Sequence, residues 1–289
     1  MDNNMHQSED NKIIPMTSVN SGTGREVRSD IYYYTNQIVN VIFVGIPESR
    51  EWVLVDAGMP KSGAELLDVA EDRFGKGVKP KAIILTHGHF DHIGSIVYLL
   101  EEWGDVPVYA HPLEMPFLTG LEAYPEPDPT VEGGMLAKIS KIYPVEPIDI
   151  TPVLLPLPAD GHVPYMLGWR WVHTPGHSPG HVSLFRESDS TLLAGDAFVT
   201  VRQDSFYKVL VQKEEVQGPP RYLTTDWPSA RESVRLLNDL QPLLAITGHG
   251  THLEGAQLTE GLQNLAENFD EIALPDHGKY VDETDREIQ

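Results

Sequence analysis

The chain has 289 residues, of which 40% are hydrophobic and 22% are charged, as is ordinary for a globular protein in water. Its 21 Lys and Arg residues against 43 Asp and Glu residues give a net charge of −22 at pH 7. This charge repels phosphate backbones and no basic patch stands out along the sequence, so we expect no nucleic acid partner. Cysteine is absent, which excludes disulfides, thiolate metal ligands and a cysteine nucleophile.

The N-terminal residues 1–26 are polar, rich in Asn and Ser and without periodicity, so we predict a disordered or frayed tail. They lack the basic and apolar regions of a signal peptide. No apolar run in the sequence approaches the ~20 residues that a membrane span requires. We therefore expect a cytoplasmic protein without a membrane partner.

The structured part, from residue 27, is predicted to begin with a β-hairpin followed by a helix. The two strands are Ile38–Val44 and Glu51–Asp56, and the helix is Gly63–Phe74. Lys81–Leu85 is a short and nearly continuous apolar run, which is typical of a strand covered on both faces. Apolar residues at helical spacing follow in Ile93–Trp103, so a loop is expected between this strand and this helix.

That loop concentrates potential metal ligands, since it reads Thr86-His87-Gly88-His89-Phe90-Asp91-His92. Imidazole nitrogens and carboxylate oxygens are donors that zinc and other first-row ions accept. The loop follows the carboxyl end of a strand, where open α/β sheets place their ligand sites. One His in a loop is ordinary, but three His and one Asp at this spacing indicate a metal site.

Residues 112–164 form a Pro-rich insertion with weak periodicity, in which a helix is predicted only over Gly134–Ile142. Long irregular segments in compact domains often cover a substrate, although others are only packed excursions of the chain. We interpret this insertion as a substrate lid.

The second half of the chain repeats the pattern of the first half, in which strands lead into loops that carry His or Asp. Its predicted strands and helices are Trp169–His173, Val182–Phe185, Thr191–Ala194, a helix over Trp227–Leu240 capped by Asp226, Leu243–Ile246, and a helix over Leu258–Ile272. Three of these strands lead to further potential ligands, which are His177, Asp196 and His249. Residues 276–289 are interpreted as an acidic, solvated tail.

Taken in order, the motifs Thr-His-x-His-x-Asp-His, Thr-Pro-Gly-His-x-x-Gly-His, Ala-Gly-Asp and Gly-His resemble those of the metallo-β-lactamase-fold hydrolase superfamily, in its glyoxalase II and lactonase-like branch. The resemblance covers Ile38 to Ile272. It implies an α+β fold, a four-layer αβ/βα sandwich formed as a single domain, which we expect over residues 27–275.

The resemblance also implies a dinuclear metal centre, for which we expect zinc, with manganese or iron as alternatives. It assigns His87, His89 and His177 to the first metal ion. Asp91, His92 and His249 are assigned to the second ion, and Asp196 bridges both. A metal-bridging hydroxide would attack the substrate, and Asp91 would pass a proton to the leaving group.

Other residues near these motifs have expected supporting roles. Asp56 ends its strand at the level of the first motif, and we expect it to hydrogen-bond a ligand His. His181 is interpreted as a structural hydrogen-bonding residue more than as a ligand. His252 either reaches the substrate or caps the following segment, and the sequence leaves both roles open.

The expected function is hydrolysis of an ester-like bond, in a lactone, a thioester or an ester, within a small-molecule substrate. His at position 89 argues against the redox di-iron members of the superfamily, which carry Glu there. The acidic C-terminal region disfavours a glutathione thioester. Acyl-homoserine lactonases place a Tyr where this chain has Val199, so a lactonase would need Tyr207 or Tyr222 instead.

Alternatives remain open at this stage. Persulfide dioxygenases share the ligand pattern and use a mononuclear non-haem iron, and phosphodiesterases share the fold. A secreted β-lactamase is disfavoured by the ligand pattern, and a binding module without activity is disfavoured because every ligand position is filled. The sequence also leaves open a homodimer.

Overall fold

The computed structural model of the chain describes residues 5–14, 16–132, 134–201 and 214–282. The chain divides into two compact units. Unit 1 contains Met1–Tyr124 and Pro144–Leu167, and unit 2 contains Pro125–Tyr143 and Gly168–Gln289. Each unit has its own sheet and its own hydrophobic core.

Unit 1 contains a sheet of seven described strands that lie in chain order. They are β1 (Thr23–Arg28), β2 (Ile31–Asn36), β3 (Val39–Val44), β4 (Val53–Val55), β5 (Ala82–Ile84), β6 (Val108–Ala110) and β7 (Leu154–Pro156). The first four are joined antiparallel, and β4 to β7 are paired in parallel. The carboxyl ends of β4 and β5 therefore meet at one edge of the sheet, and Val55 pairs with Ile84 there.

Four described helices accompany this sheet: α1 (Gly63–Phe74), α2 (Phe90–Ile93), α3 (Ile96–Trp103) and α4 (Met115–Leu118). Buried residues of α1 and α3 pack with the strands in one core cluster. Its centre is aromatic, since Trp52 stacks on Phe74 with ring centroids 4.3 Å apart and on Phe43 at 5.9 Å. The predicted hairpin, the predicted helix Gly63–Phe74 and the buried strand before the first motif are confirmed.

Unit 2 contains a sheet of five described strands in the order β14-β13-β10-β9-β8. Their bounds, together with those of a separate pair β11 and β12, are β8 (Trp169–His173), β9 (Val182–Arg186), β10 (Thr191–Gly195), β11 (Val199–Val201), β12 (Glu214–Gln217), β13 (Leu244–Thr247) and β14 (Leu253–Glu254). Strands β10 and β13 are parallel, with Gly195 opposite Thr247. Their carboxyl ends consequently lie side by side, as those of β4 and β5 do in unit 1.

The described helices of unit 2 are α5 (Gly134–Ile139), α6 (Trp227–Asp239), α7 (Gly255–Glu267) and α8 (Phe269–Ile272). Asp226 caps α6 as predicted, because its Oδ1 accepts a hydrogen bond from the backbone N of Ser229 over 3.0 Å. The helix predicted over Gly134–Ile142 is confirmed as α5 and the 3₁₀ turn Ser140–Ile142. Within the described ranges, every helix falls short of the length and apolar character that a membrane span needs.

The N-terminal prediction differs from the structure. Residues 1–26 were expected to fray, yet β1 begins at Thr23 and Ile14 is only 2% exposed. The backbone of His6 exchanges hydrogen bonds of 2.9 Å with Asp149, and Oδ2 of Asp10 accepts from the backbone N of Val145 over 2.9 Å. The prediction is wrong for the described part of this segment, because its backbone groups pair with a distant stretch of unit 1 that local periodicity does not reveal.

The C-terminal tail is likewise in contact with its unit up to residue 282, the last described one. The backbone N of Asp276 donates to Glu132 over 3.1 Å, and Oη of Tyr280 donates to the carbonyl of Glu126 over 2.8 Å. Residues 276–282 are thus held along unit 2 although Asp276, His277 and Lys279 are exposed, and residues 283–289 lie outside the described part of the chain.

The Pro-rich insertion over residues 112–164 belongs to both units. Its residues up to Tyr124 and from Pro144 belong to unit 1, and the residues between them belong to unit 2. The insertion also contributes a strand, because β7 pairs in parallel with β6. Its part around β7 thus belongs to the sheet of unit 1, and the role of the insertion as a lid stays a prediction.

Candidate functional site

In unit 1, the loop between β5 and α2 carries four buried candidate ligands, His87, His89, Asp91 and His92, with exposures from 0% to 5%. His89 is the N-cap residue of α2, and Asp91 and His92 lie in the helix. The ring centroid of His87 is 4.6 Å from that of His89 and 4.2 Å from that of His92. The structure therefore clusters the three predicted His ligands of this motif.

Asp56, directly after β4, ties this loop to the neighbouring strand. Its Oδ1 accepts a hydrogen bond from the backbone N of Thr86, and its Oδ2 accepts from Oγ1 of Thr86 and from Nδ1 of His92, each over 2.8 Å. The expected hydrogen bond between Asp56 and a candidate ligand is thus present. The parallel pairing of β4 with β5 makes it possible, because it puts both strand ends at one edge.

These hydrogen bonds determine where the protons of two imidazoles lie. Thr86 gives its single hydroxyl proton to Asp56, so its Oγ1 must accept from Nδ1 of His87, which lies 3.0 Å away. His92 also donates from Nδ1, to Asp56. In each neutral ring Nε2 then presents a lone pair, which is the form of His that binds a metal ion.

Two further residues of unit 1 contact the same loop and were missed by sequence reasoning. The backbone N of Gly88 donates to Oε2 of Glu114 and to Oη of Tyr124, each over 3.0 Å. Tyr124 also hydrogen-bonds Glu114, and its ring lies edge-on to His89 with centroids 4.6 Å apart. Burial raises the pKa of Tyr124 well above its ordinary value, so its hydroxyl keeps its proton. The one local signal was a Glu inside the otherwise apolar run from Leu113 to Leu118.

In unit 2, three strand ends bring their candidate ligands together. His177 follows β8, Asp196 follows β10 and His249 follows β13, and each is at most 2% exposed. Oδ2 of Asp196 lies 3.4 Å from Nε2 of His177 and 3.2 Å from Nε2 of His249. One carboxylate oxygen therefore lies close to a nitrogen of each of two imidazoles.

Thr224 sets the proton position on His177. The Thr224 hydroxyl donates to the carbonyl of Pro220 over 2.8 Å, so it accepts from Nδ1 of His177, which lies 3.1 Å away. In the neutral ring, the Nε2 lone pair then lies opposite a carboxylate oxygen of Asp196. Two such electron pairs repel each other unless a cation lies between them, and ligands of a shared metal ion have this arrangement.

His181 is engaged at both ring nitrogens. Its Nε2 accepts from the backbone N of Asp196 over 2.9 Å, so its Nδ1 donates to Oγ1 of Thr174, also over 2.9 Å. Thr174 in turn contacts the hydroxyl of Ser183, which donates to the carbonyl of Ala194. His181 thus holds the backbone at Asp196, and neither of its nitrogens is available to a metal ion.

The remaining candidates have less defined surroundings. His252 is half-buried between β13 and β14. Tyr222 is buried, with its ring edge-on to Tyr143 at 5.6 Å between centroids. Tyr207 lies outside the described residues.

The prediction that the chain has no basic patch is wrong at one place in unit 1. Arg50, Lys76, Lys79 and Lys81 line a single cleft, and Lys81 is paired with Glu51 at 2.9 Å. These residues precede β4 and β5 in the chain, whereas Asp56 and the His-rich loop follow those strands. The cleft therefore lies at the opposite ends of the strands from the candidate ligands.

The chemistry of the donor set fits divalent metal ions. The candidates offer only imidazole nitrogens and carboxylate oxygens, and all of them are buried. Hydroxyl and carboxylate partners hold the outer nitrogens of His87, His92 and His177, an outer set of hydrogen bonds that is common around metal ligands.

Comparison with known proteins adds the following. The model of the metallo-beta-lactamase superfamily matches residues 34–249 of the chain. The probable metallo-hydrolase YflN of Bacillus subtilis (strain 168) is 47% identical over 260 residues, which are 90% of this chain and 98% of that protein. The structure of TTHA1623 in a di-iron-bound form is 26% identical with a TM-score of 0.51, over 77% of this chain and 91% of that one. BJP-1, a subclass B3 metallo-beta-lactamase of Bradyrhizobium japonicum, is 19% identical with a TM-score of 0.57, over 89% and 96% of the two chains.

Proposed function

Because the chain belongs to the metallo-β-lactamase superfamily and is a metal-dependent hydrolase, we propose that it binds two divalent metal ions and cleaves an ester-like bond in a small molecule. The predicted α+β metallo-β-lactamase fold is confirmed by the family match and by the solved structures that share the fold. The number of ions, their identity and the substrate are our proposal.

The observation that carries the proposal is the position of Asp196 between two imidazoles. His177 and His249 follow different strands, yet their Nε2 atoms lie 3.4 and 3.2 Å from the same oxygen of Asp196. If two metal ions were held here, one by His177 and the other by His249, Asp196 would offer its carboxylate to both, and this role would account for the arrangement. The di-iron-bound form of TTHA1623, at 26% identity, supports two ions as the number.

We propose for the two ions the ligand sets that the family resemblance implies. The first ion would be held by His87, His89 and His177, the second by Asp91, His92 and His249, and Asp196 would be shared. When bound, two such ions supply Lewis acidity and activate water at neutral pH. Zinc is the proposed metal, because imidazole and carboxylate are donors that zinc accepts; manganese and iron, which accept the same donors, are the alternatives.

Asp91 is the residue proposed to carry a proton to the leaving group. It is buried in the first turn of α2, between His89 and His92 in sequence. A carboxylate in such surroundings can accept a proton from the attacking water and release it to an alkoxide or thiolate. The substrate is proposed to be uncharged around the scissile bond, since a chain of net charge −22 repels polyanions.

The test is elemental analysis of the purified protein together with a substrate panel of lactones, thioesters, aryl esters and phosphodiesters. We expect about two equivalents of zinc per chain and turnover of an ester-like substrate that stops after chelation. His249→Ala should lose about one equivalent of metal. His162→Ala is the matched control, because His162 is an exposed imidazole that also pairs with a carboxylate, that of Asp160, at 2.5 Å.

Two outcomes would contradict the proposal. Metal content that is the same in His249→Ala as in the wild type would remove His249 from the ligand set. One equivalent of iron, together with oxygen uptake and no hydrolysis, would instead support the activity of a mononuclear iron oxygenase.

A further inference from the structure

The backbone N–H of Gly88, between candidate ligands His87 and His89, has two acceptors in unit 1. Oε2 of Glu114 and Oη of Tyr124 each lie 3.0 Å from it, and the two side chains are hydrogen-bonded to each other. Because Tyr124 gives its proton to Glu114, its oxygen accepts from Gly88. A carboxylate and a hydroxyl thus jointly fix one peptide of the His-rich loop.

The pair also packs closely against the loop. A Cβ on Gly88 would lie 2.6 Å from Oη of Tyr124 and 3.1 Å from Leu118, so only glycine leaves room for this contact. The Tyr124 ring stacks on Phe117 at 3.9 Å between centroids and also contacts the ring of His89, at 4.6 Å. Movement of Tyr124 would therefore reach His89 both through the Gly88 peptide and through the ring contact.

Glu114 and Tyr124 are themselves anchored by separate parts of the fold. Glu114 ends the 3₁₀ turn Pro112–Glu114 and donates its backbone N to the carbonyl of His111 over 2.9 Å. Tyr124 donates its backbone N to Val145 over 3.0 Å. The backbone at both residues is thus fixed by hydrogen bonds that do not involve the His-rich loop.

Packing alone does not explain a carboxylate at this place. Glu114 is 0% exposed, and burying a carboxylate costs free energy that an apolar side chain of similar volume would avoid. The hydrogen bonds from Gly88 and Tyr124 offset part of that cost, and they are directed at the loop that bears His87 and His89.

We propose that Glu114 and Tyr124 are positioning residues that hold the Gly88 peptide so that His87 and His89 are preorganised to bind a metal ion. This inference rests on the proposed function, because it takes His87 and His89 as ligands. Glu114 and Tyr124 lie at the start of the Pro-rich insertion, so this part of the insertion would support the His-rich loop and would not act as a lid.

The test measures zinc affinity of the apo full-length protein by competition with a chromophoric chelator, together with its stability in denaturant. Tyr124→Phe removes the hydroxyl and keeps the ring. Tyr34→Phe is the matched control, because the Tyr34 hydroxyl also donates to a carboxylate of unit 1, that of Glu65, over 2.5 Å. Tyr124→Phe should bind zinc about tenfold more weakly than the wild type, whereas Tyr34→Phe should keep wild-type affinity.

Glu114→Gln and Glu114→Ala separate hydrogen bonding from charge. Gln keeps an oxygen that can accept from Gly88 and Tyr124, so we expect its zinc affinity to stay close to that of the wild type. Ala removes every acceptor at that position, so we expect Glu114→Ala to bind zinc about tenfold more weakly or worse, which is the usual effect of removing a residue that supports a metal ligand. A structural role alone would lower the stability of the apo protein in all variants and leave zinc affinity unchanged.

The inference is overturned if Tyr124→Phe and Glu114→Ala bind zinc as tightly as the wild type, or if Glu114→Gln is as weak as Glu114→Ala. If Glu114→Ala does not fold, Tyr124→Phe decides alone. A wild-type protein that binds no divalent ion would instead overturn the proposed function, so the two failures are distinguishable.

Discussion

Oδ2 of Asp56 accepts a hydrogen bond from Nδ1 of His92 over 2.8 Å. Through Thr86, the same carboxylate also sets the proton position on His87. One Asp at the end of β4 therefore orients two imidazoles on the loop after β5, and the parallel register of these strands makes this geometry available.

Replacing Asp56 should weaken metal binding, whereas replacing an exposed carboxylate should not. Asp56→Ala leaves three buried donors without their acceptor, at roughly 1–3 kcal/mol of unfolding free energy each. It also frees the rings of His87 and His92 to change tautomer, so we expect zinc affinity to fall by about 10- to 100-fold. Chelator competition and denaturant unfolding measure the two effects.

The control for Asp56 is Asp160→Ala. Asp160 also pairs with a His, but both side chains are exposed. This variant should retain zinc affinity and stability within error. Equal zinc affinity in Asp56→Ala and the wild type would show that the hydrogen bond to His92 is dispensable.

His181 and His177 should respond differently to substitution, although they belong to one sequence motif. His181→Ala leaves the buried N–H of Asp196 without its acceptor, so we expect two metal equivalents to bind with lower affinity. His177→Ala removes a proposed ligand and should lower the number of equivalents. Elemental analysis after dialysis at a fixed free zinc concentration distinguishes lower affinity from a lower number of bound ions. Equal stoichiometry in His181→Ala and His177→Ala would contradict the different roles expected for these two residues.

The candidate ligands other than His177 were visible in the sequence because they follow buried, largely apolar strands. Strands β5, β10 and β13 are buried along their whole length, and a ligand-bearing loop after such a strand stands out. The residues that orient those ligands were mostly not visible. Thr224 lies 47 residues from His177, and a lone Thr in a loop has no pattern that links it to a distant imidazole.

Two of the strands that the sequence analysis missed, β1 and β7, have a physical reason as well. β1 is mostly exposed and has no apolar face, so it forms only because β2 offers a partner. β7 is an edge strand of three residues that ends in Pro156, and a proline inside a polar insertion argues against a strand. Both depend on pairing with a neighbour, which local periodicity does not record.

Asp128 should make the stability of unit 2 depend on pH. Burial opposes ionisation of its carboxyl, but hydrogen bonds from the hydroxyl and backbone N of Thr130 and from the backbone N of Lys279 outweigh burial, so the pKa of Asp128 lies below its ordinary value. A lowered pKa contributes stability above the ordinary Asp value, about 4, and that contribution is lost as pH falls through the lowered value.

Asp128→Asn should remove this component. We expect the difference in unfolding free energy between wild type and Asp128→Asn to be largest near pH 7 and to shrink as pH is lowered below about 4. Denaturant unfolding of the apo protein measures it without interference from metal release. Asp239→Asn, on the exposed surface of α6, is the control and should follow the wild-type profile. A difference that does not change with pH would contradict the role of the Asp128 carboxylate.

Gly176, next to His177, should tolerate no side chain. A Cβ there would lie 2.4 Å from the backbone N of Ala230 in α6, and backbone cannot move aside as a flexible side chain can. The φ of Gly176 is 127°, which adds conformational strain. The carbonyl of Gly176 also accepts from the backbone N of Asp226 over 3.1 Å, so the loop is held against the start of α6.

Gly161→Ala provides the matched comparison for Gly176→Ala. Gly161 also has a positive φ, 87°, but a Cβ there would meet no atom within 4 Å, so its cost is conformational strain alone, about 1–2 kcal/mol. Gly176→Ala adds overpacking of roughly 1–3 kcal/mol or more and should displace His177, lowering zinc affinity as well as unfolding free energy. If the two variants lost equal unfolding free energy, the loop that bears His177 would be able to move away from α6. If zinc affinity were also unchanged in Gly176→Ala, the contact between Gly176 and α6 would not set the position of His177.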